Sequence, residues 1–187
     1  YAEVIEKSDN YISAFEGDAI VPKFELLKAT ASGRLYGFEA YSKDINAIAV
    51  DYANTEEGVQ AQDIINKAFK VMSNKTFKDD KESKHFKVIY QFTKDEADTI
   101  KDFVKTLDEA VGKVQYYDLT TSVDLYNPNT TFVVVHGLKS IDGAEGFSEI
   151  LEEGDGYKIA RPSFAISSDN YRIVQIHKNL DTYIAAE

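Results

Sequence analysis

His85-Phe86-Lys87-Val88-Ile89-Tyr90-Gln91-Phe92-Thr93-Lys94-Asp95-Glu96 is the stretch on which the fold turns. Phe86, Val88, Tyr90 and Phe92 alternate with His85, Lys87, Ile89 and Gln91, which is the period-two signature of a strand with one better-buried face. Thr93 and Glu96 then stand three apart. That spacing predicts a capping box, in which the Thr hydroxyl meets the third helical amide and the Glu carboxylate reaches back. A strand therefore passes directly into a helix, which carries Ile100, Phe103, Val104, Leu107 and Val111 and stops at Gly112.

The pattern continues toward the carboxyl terminus. Residues 114–125 are rich in Tyr, Thr and Val and predict a second strand, followed by an Asn127-Pro128-Asn129 turn. Residues 131–135 predict a third strand, in which Phe132-Val133-Val134-Val135 is a continuous apolar run of large side chains. Ser140 opens a helix through Ala144, Phe147, Ile150 and Leu151, closed by Gly154-Asp155-Gly156. A fourth strand is expected at residues 163–166, then helical pieces at 170–176 and 179–186. The order β-α-β-β-α-β is the split βαβ, ferredoxin-like unit. In that topology the first and third strands are central. The unbroken apolar run suits a central strand, and Asp118, Thr120, Thr121, Ser122 and Asp124 suit an edge.

Upstream the period is helical throughout. Val4, Ile5, Tyr11, Ile12 and Phe15 mark an opening helix that breaks at Gly17-Asp18. A second carries Phe24, Leu26, Leu27 and Ala31, has Pro22 in its first turn and ends at Gly33. The third, over residues 38–52, places Tyr41, Ile45, Ile48, Ala49 and Tyr52 on one face. Asn54-Thr55-Glu56-Glu57 caps a fourth, which uses Val59, Ala61, Ile64, Ile65, Ala68, Phe69 and Met72. Short connections between such helices favour hairpins. Residues 74–84 are polar and without period, so they read as a linker. The expected class is α+β, with helical hairpins over residues 1–73, the linker over 74–84 and the ferredoxin-like domain with its helical tail over 85–187.

The chain has 187 residues, 32 acidic against 21 basic side chains, and a net charge of −11. Basic residues are interspersed with acids, as in Lys78-Asp79-Asp80-Lys81-Glu82, so no stripe exists to neutralise phosphates and nucleic acid is a poor partner. No apolar run approaches the roughly 20 residues of a membrane helix, so this fragment inserts into no membrane by itself. Absence of cysteine excludes disulfides, zinc–thiolate sites and thiol nucleophiles. The first residue is Tyr1 and the first helix begins at once; the chain is expected to be a piece of a longer polypeptide, with any targeting signal or lipid-bearing cysteine upstream.

A search for chemistry finds no catalytic residues, no metal ligands and no cofactor-binding motif. His85, His136 and His177 are far apart and lack metal-ligand spacing. His136 follows the apolar strand and reads as a structural strand-end residue. The glycines at 143, 146, 154 and 156 fit neither phosphate-binding spacing, and Gly154-Asp155-Gly156 lacks the Asp ladder of a calcium loop. Glu149, Glu152, Glu153 and Asp155 read as the solvated face of a helix. Arg161, between Arg34 and Arg172 in the order of arginines, could meet a carboxylate in an internal salt bridge. The 12 tyrosines and 11 phenylalanines suggest an interface, because tyrosine buries a ring while keeping its hydroxyl wet. Tyr116 and Tyr117 point to opposite faces of one strand, so one ring should lie on the open face of the sheet. Candidate interface residues are Tyr116, Tyr117, Tyr90 and Ile89 on the sheet, Arg161 beside the fourth strand, and Tyr183 on the terminal helix.

Two sets of residues carry a family resemblance. Lys23-Phe24-Glu25-Leu26-Leu27-Lys28-Ala29, Gly33, Tyr36, Gly37-Phe38-Glu39-Ala40-Tyr41 and Asp51-Tyr52-Ala53-Asn54-Thr55-Glu56 before Ala61 resemble degenerate tetratricopeptide helix pairs, although the repeat's tryptophan and later proline are missing. His85-Phe86-Lys87-Val88, Phe132-Val133-Val134-Val135, Ser163-Phe164-Ala165-Ile166-Ser167-Ser168-Asp169-Asn170-Tyr171 and Lys178-Asn179-Leu180-Asp181-Thr182-Tyr183 resemble the end of the tetratricopeptide-repeat lipoproteins of Bacteroidota gliding motility and type IX secretion (the SprE/PorW kind). The resemblance implies a non-enzymatic, periplasmic scaffold, attached to the outer membrane through an upstream lipid anchor, whose partners are other protein components of the machine. Two further readings compete with it. Small βαββαβ domains also bind peptidoglycan or another cell-wall glycan on the sheet face, and paired ferredoxin-like domains sense small molecules.

Overall fold

A computed structural model describes residues 1–114, 118–153, 156 and 159–186. The chain is α+β and forms two compact units. One comprises Tyr1–Thr76 with Ile173–Glu187, the other Phe77–Arg172.

The helical unit opens with α1 (Ala2–Ala14), α2 (Val21–Tyr36), α3 (Phe38–Asp51) and α4 (Glu56–Ile64). A π-type turn at Ile65–Phe69 and a short α5 (Lys70–Met72) follow. Thr55 caps α4 by accepting the Gly58 amide at 3.1 Å, as the Asn-Thr-Glu-Glu sequence predicts. Gly33 does not end the second helix. The helix runs on to Tyr36, and the chain turns at Gly37, whose φ of +88° is open to glycine and costly for other residues. Gly33 instead lets α3 come close: a Cβ there would stand 2.9 Å from the Tyr41 Cβ. Each helix packs on its neighbours in the chain, and α2 also meets α4. Ala29, Ile45, Ile48, Ala49 and Ala61 form the core, with Leu26, Tyr41, Tyr52, Ile64, Ile65 and Phe69 packed against it. Val59, expected inside, is 61% exposed.

The sheet unit contains β1 (Phe86–Thr93), α6 (Ala97–Lys113), β2 (Thr120–Asn127), β3 (Thr130–Leu138), α7 (Ile141–Glu153) and β4 (Ser163–Ser167). The strands form one antiparallel sheet in the order β2-β3-β1-β4, so β3 and β1 are internal. The Thr93–Glu96 capping box is made as its spacing predicts, with the Glu96 Oε2 2.8 Å from the Thr93 amide and 2.9 Å from its hydroxyl. Phe86, Val88, Tyr90, Phe92, Val133, Val135 and Leu138 face Leu107, Ala110, Val111, Ala144, Phe147 and Leu151 of α6 and α7. Each Val, Leu or Phe among them contributes about 1.5–3 kcal/mol on burial, against at most about 1 kcal/mol for an exposed ion pair. The apolar layer therefore dominates the stability of this unit.

Two boundaries differ from the sequence expectation. Residues 77–84 are no free linker but part of the sheet unit. Asn170, in α8 (Ser168–His177), accepts the Lys78 amide at 2.8 Å and donates to the Lys78 carbonyl at 3.0 Å, pairing that backbone as a strand neighbour would. Lys78 adds an ion pair to Asp169 at 2.7 Å. The carboxyl-terminal residues, including α9 (Leu180–Ile184), belong with the helical unit rather than the sheet. Ile173, Val174, Leu180 and Tyr183 are all buried, and this apolar content takes the tail into a core.

Candidate functional site

Alternation along the strands gives the sheet two faces, and the second one decides where function can lie. Opposite the helix-packed side, the register brings Lys87, Ile89 and Gln91 of β1 beside Phe132, Val134 and His136 of β3. Ser122, Asp124 and Tyr126 of β2 and Phe164 and Ile166 of β4 complete this face. It is not open. Ile89, Phe132, Val134 and Ile166 are fully buried, and Tyr126 stacks on Phe132 with ring centroids 4.6 Å apart. Tyr171 of α8 approaches Phe132 at 6.3 Å. A sheet of this kind has two apolar layers, and the expected exposed binding face is a second core.

The candidate interface residues therefore separate. Ile89 belongs to the second core, and Tyr90 lies in the helix-packed core at 1% exposure. Neither can touch a partner. Tyr183 is 3% exposed and packs in the helical unit. Tyr116 and Tyr117 lie outside the described residues. Arg161 is occupied internally: its guanidinium donates to both Glu96 oxygens at 2.8 and 3.0 Å and to the Gln91 carbonyl, and lies 3.6 Å over the Phe92 ring. The carboxylate that meets it, which the sequence does not single out, is the one that also closes the capping box. Arg161, followed by Thr93, holds the Glu96 carboxyl down to about 2.

His136, read from the sequence as a structural strand-end residue, gathers polar partners that the sequence does not show together. It sits within β3 at the centre of a half-buried polar chain on the second face. Lys87 Nζ is 2.8 Å from His136 Nδ1, and His136 Nε2 is 2.7 Å from Ser122 Oγ. Ser122 donates to Asp124 Oδ1 at 2.9 Å, and the Tyr171 hydroxyl donates to Asp124 Oδ2 at 2.6 Å. Lys87 also lies over the Tyr171 ring, 5.5 Å from its centroid. A signal does exist: Ser122 and Asp124 two apart on one strand must share a face, and the register of the hairpin sets that face beside His136.

Proton bookkeeping fixes the direction of this chain. A lysine ammonium has only donors, so His136 Nδ1 accepts and its hydrogen sits on Nε2. The Nε2–H then donates to Ser122, whose own hydrogen goes to Asp124. In nucleophilic catalysis the serine would instead give its hydrogen to the imidazole. The arrangement runs the other way and does not activate Ser122. Burial, reinforced by Lys87, pushes the His136 imidazole below its ordinary range, and burial also lowers the Lys87 ammonium. Among the described residues no cluster of His, Asp and Glu could hold a metal ion.

An exposed aromatic cluster lies on the helical unit. Tyr11 of α1 stacks on Phe24 of α2 at 4.9 Å and on Phe15 at 6.3 Å. Tyr11, Phe15, Ile20 and Leu27 are 48%, 45%, 41% and 51% exposed. Among the described residues, no helix is long and apolar enough to cross a membrane. No protein-family model matches the chain, and no curated protein matches it.

Proposed function

We propose that this chain is a non-enzymatic scaffold, a protein-interaction module of the outer-membrane-associated type IX secretion and gliding machinery. The observation that carries this reading is the aromatic ground on α1 and α2. Tyr11, Phe15, Ile20 and Leu27 stay in water on a chain whose other large apolar side chains mostly fill buried layers. Contiguous exposed apolar surface is characteristic of protein-binding sites. Sequential packing of α1 to α4, with α2 also meeting α4, supports a tetratricopeptide-like stack. The strand order β2-β3-β1-β4 with helices between strands supports a ferredoxin-like terminal domain. The reading includes a periplasmic location and an upstream lipid anchor, both drawn from the sequence resemblance.

Photo-crosslinking in Bacteroidota cells, with a crosslinker at Leu27 of the full-length protein, tests it. Capture of secretion-machine subunits, lost when Tyr11 and Phe15 become serine, is the expected result. Unchanged capture in that double variant would refute the role of this surface. Co-sedimentation of the chain with purified sacculi would instead move the function to glycan binding.

A further inference from the structure

The polar chain on the second sheet face has a property that neither a scaffold nor a core requires. Every link has one permitted direction. Lys87 can only donate, the neutral His136 ring accepts at Nδ1 and donates at Nε2, Ser122 passes a hydrogen on, and Asp124 accepts from both Ser122 and Tyr171. One proton added to His136 cannot be absorbed by rotating a hydroxyl. It would place an imidazolium N–H against an ammonium 2.8 Å away, with no lone pair between them.

We propose that Lys87, His136, Ser122, Asp124 and Tyr171 form a proton-operated latch, in which protonation of His136 expels Lys87 and loosens the hold of the sheet on Tyr171 in α8. The charged groups facing His136 among the described residues are Lys87 on β1 and Asp124 on β2; Tyr171 reaches the cluster from α8. When Lys87 withdraws it leaves the face of the Tyr171 ring. The new positive charge draws the Asp124 carboxylate more strongly through Ser122, which bonds both, and so weakens the hold of the other carboxylate oxygen on the Tyr171 hydroxyl. Of the three histidines this is the one wired at both ring nitrogens to the sheet. Its lowered affinity for protons agrees with the sign: the latch is closed above the ordinary histidine range and opens as pH falls below it. The latch does not depend on which partner the helical unit takes.

Heteronuclear NMR on the 187-residue chain tests this. The His136 ring should be the Nε2–H tautomer and titrate below about 6.5, the ordinary histidine value. Amide protection at Asn170, Tyr171 and Arg172 should fall severalfold as pH drops through the His136 midpoint. Protection at Leu107 and Ala110 should hold. Lys87→Met removes the opposing cation and should raise the His136 midpoint. His136→Gln can still accept from Lys87 and donate to Ser122 but cannot titrate, so it should abolish the pH dependence at Tyr171. A midpoint at or above about 6.5, protection at Tyr171 that ignores pH, or a dependence that survives His136→Gln would each overturn the latch. The midpoint is read on the unmodified chain, so an unstable variant does not leave the question open.

Discussion

The Arg161 guanidinium lies over the Phe92 ring, 3.6 Å from its centroid, and the strand and the helix that follows it are pinned by that one side chain. Its donors take the Gln91 carbonyl on β1 and both oxygens of Glu96 at the start of α6. Lysine can copy the charge but neither the stack nor the two-pronged fit. Arg161→Lys should therefore destabilise the sheet unit by about 1 kcal/mol, read as a lower midpoint in urea.

Glu96 makes the same corner acid-sensitive. Its carboxyl is held to about 2, first by Arg161 and then by Thr93. The folded value is depressed, so its contribution is complete above the ordinary carboxyl range and is lost as pH falls from there toward about 2. Glu96→Gln should lower the melting temperature at neutral pH and flatten the acid limb between about pH 4.5 and 2. An unchanged acid limb in that variant would show that other carboxyls govern it.

Tyr90 sets the opposite limb. Burial pushes its phenol up to about 12, against a weaker pull from Ser163. Here the folded value is raised, so the contribution is complete below about pH 10 and disappears as pH climbs through about 12. A phenol moved from about 10 to about 12 is biased roughly a hundredfold against its charged form, which corresponds to at most about 2–3 kcal/mol. Tyr90→Phe should retain more of its stability near pH 11 than the native chain does, measured by circular dichroism after equilibration. A phenolate band that develops fully near pH 10, with no step near 12, would contradict this burial.

The elements are legible in the sequence because their periods are unambiguous. The alternation around Val88 and Tyr90, the Thr93–Glu96 box and the Phe132–Val135 run each follow from local chemistry. Which face of the sheet is covered is not legible, because Ile89 and Val134 have the same pattern whether solvent or a helix lies above them. That ambiguity is what makes Ile89 resemble an interface residue; Tyr90 lies on the alternation that already marks the better-buried face. The tail is ambiguous for a related reason: Leu180 and Tyr183 show that a segment must be buried, but not in which core. His136 is hidden because its partners come from three other elements, β1, β2 and α8, which only the tertiary fold brings together.

Glycine positions offer a test of packing in both directions. At Gly58, a Cβ would run into the Tyr52 carbonyl oxygen, which is backbone and cannot yield. Gly58→Ala should break the cap of α4 and cost more than the roughly 1 kcal/mol of losing Thr55 alone. Gly37→Ala combines a φ of +88° with a 2.8 Å approach to the Ile176 carbonyl and should also be strongly destabilising. Gly112 has nothing within 4 Å and lies in α6. Gly112→Ala should raise stability by about 0.5–1 kcal/mol. Thermal melts of the three variants check the order.

Ile89 separates a core from a partner surface by magnitude alone. A surface residue shaved to alanine shifts stability by less than about 0.5 kcal/mol, whereas a buried isoleucine costs about 2–5 kcal/mol through lost transfer energy and the cavity left behind. Ile89→Ala and Val134→Ala, both at fully buried positions, should fall in or near the larger class. Val123 sits on the neighbouring edge strand at 51% exposure, and Val123→Ala should fall in the smaller class. The comparison is made within one sheet and between side chains of similar size, so differences in strand propensity largely cancel. Urea midpoints for the three variants decide it: if Ile89→Ala proves as silent as Val123→Ala, the second face is open to a partner after all.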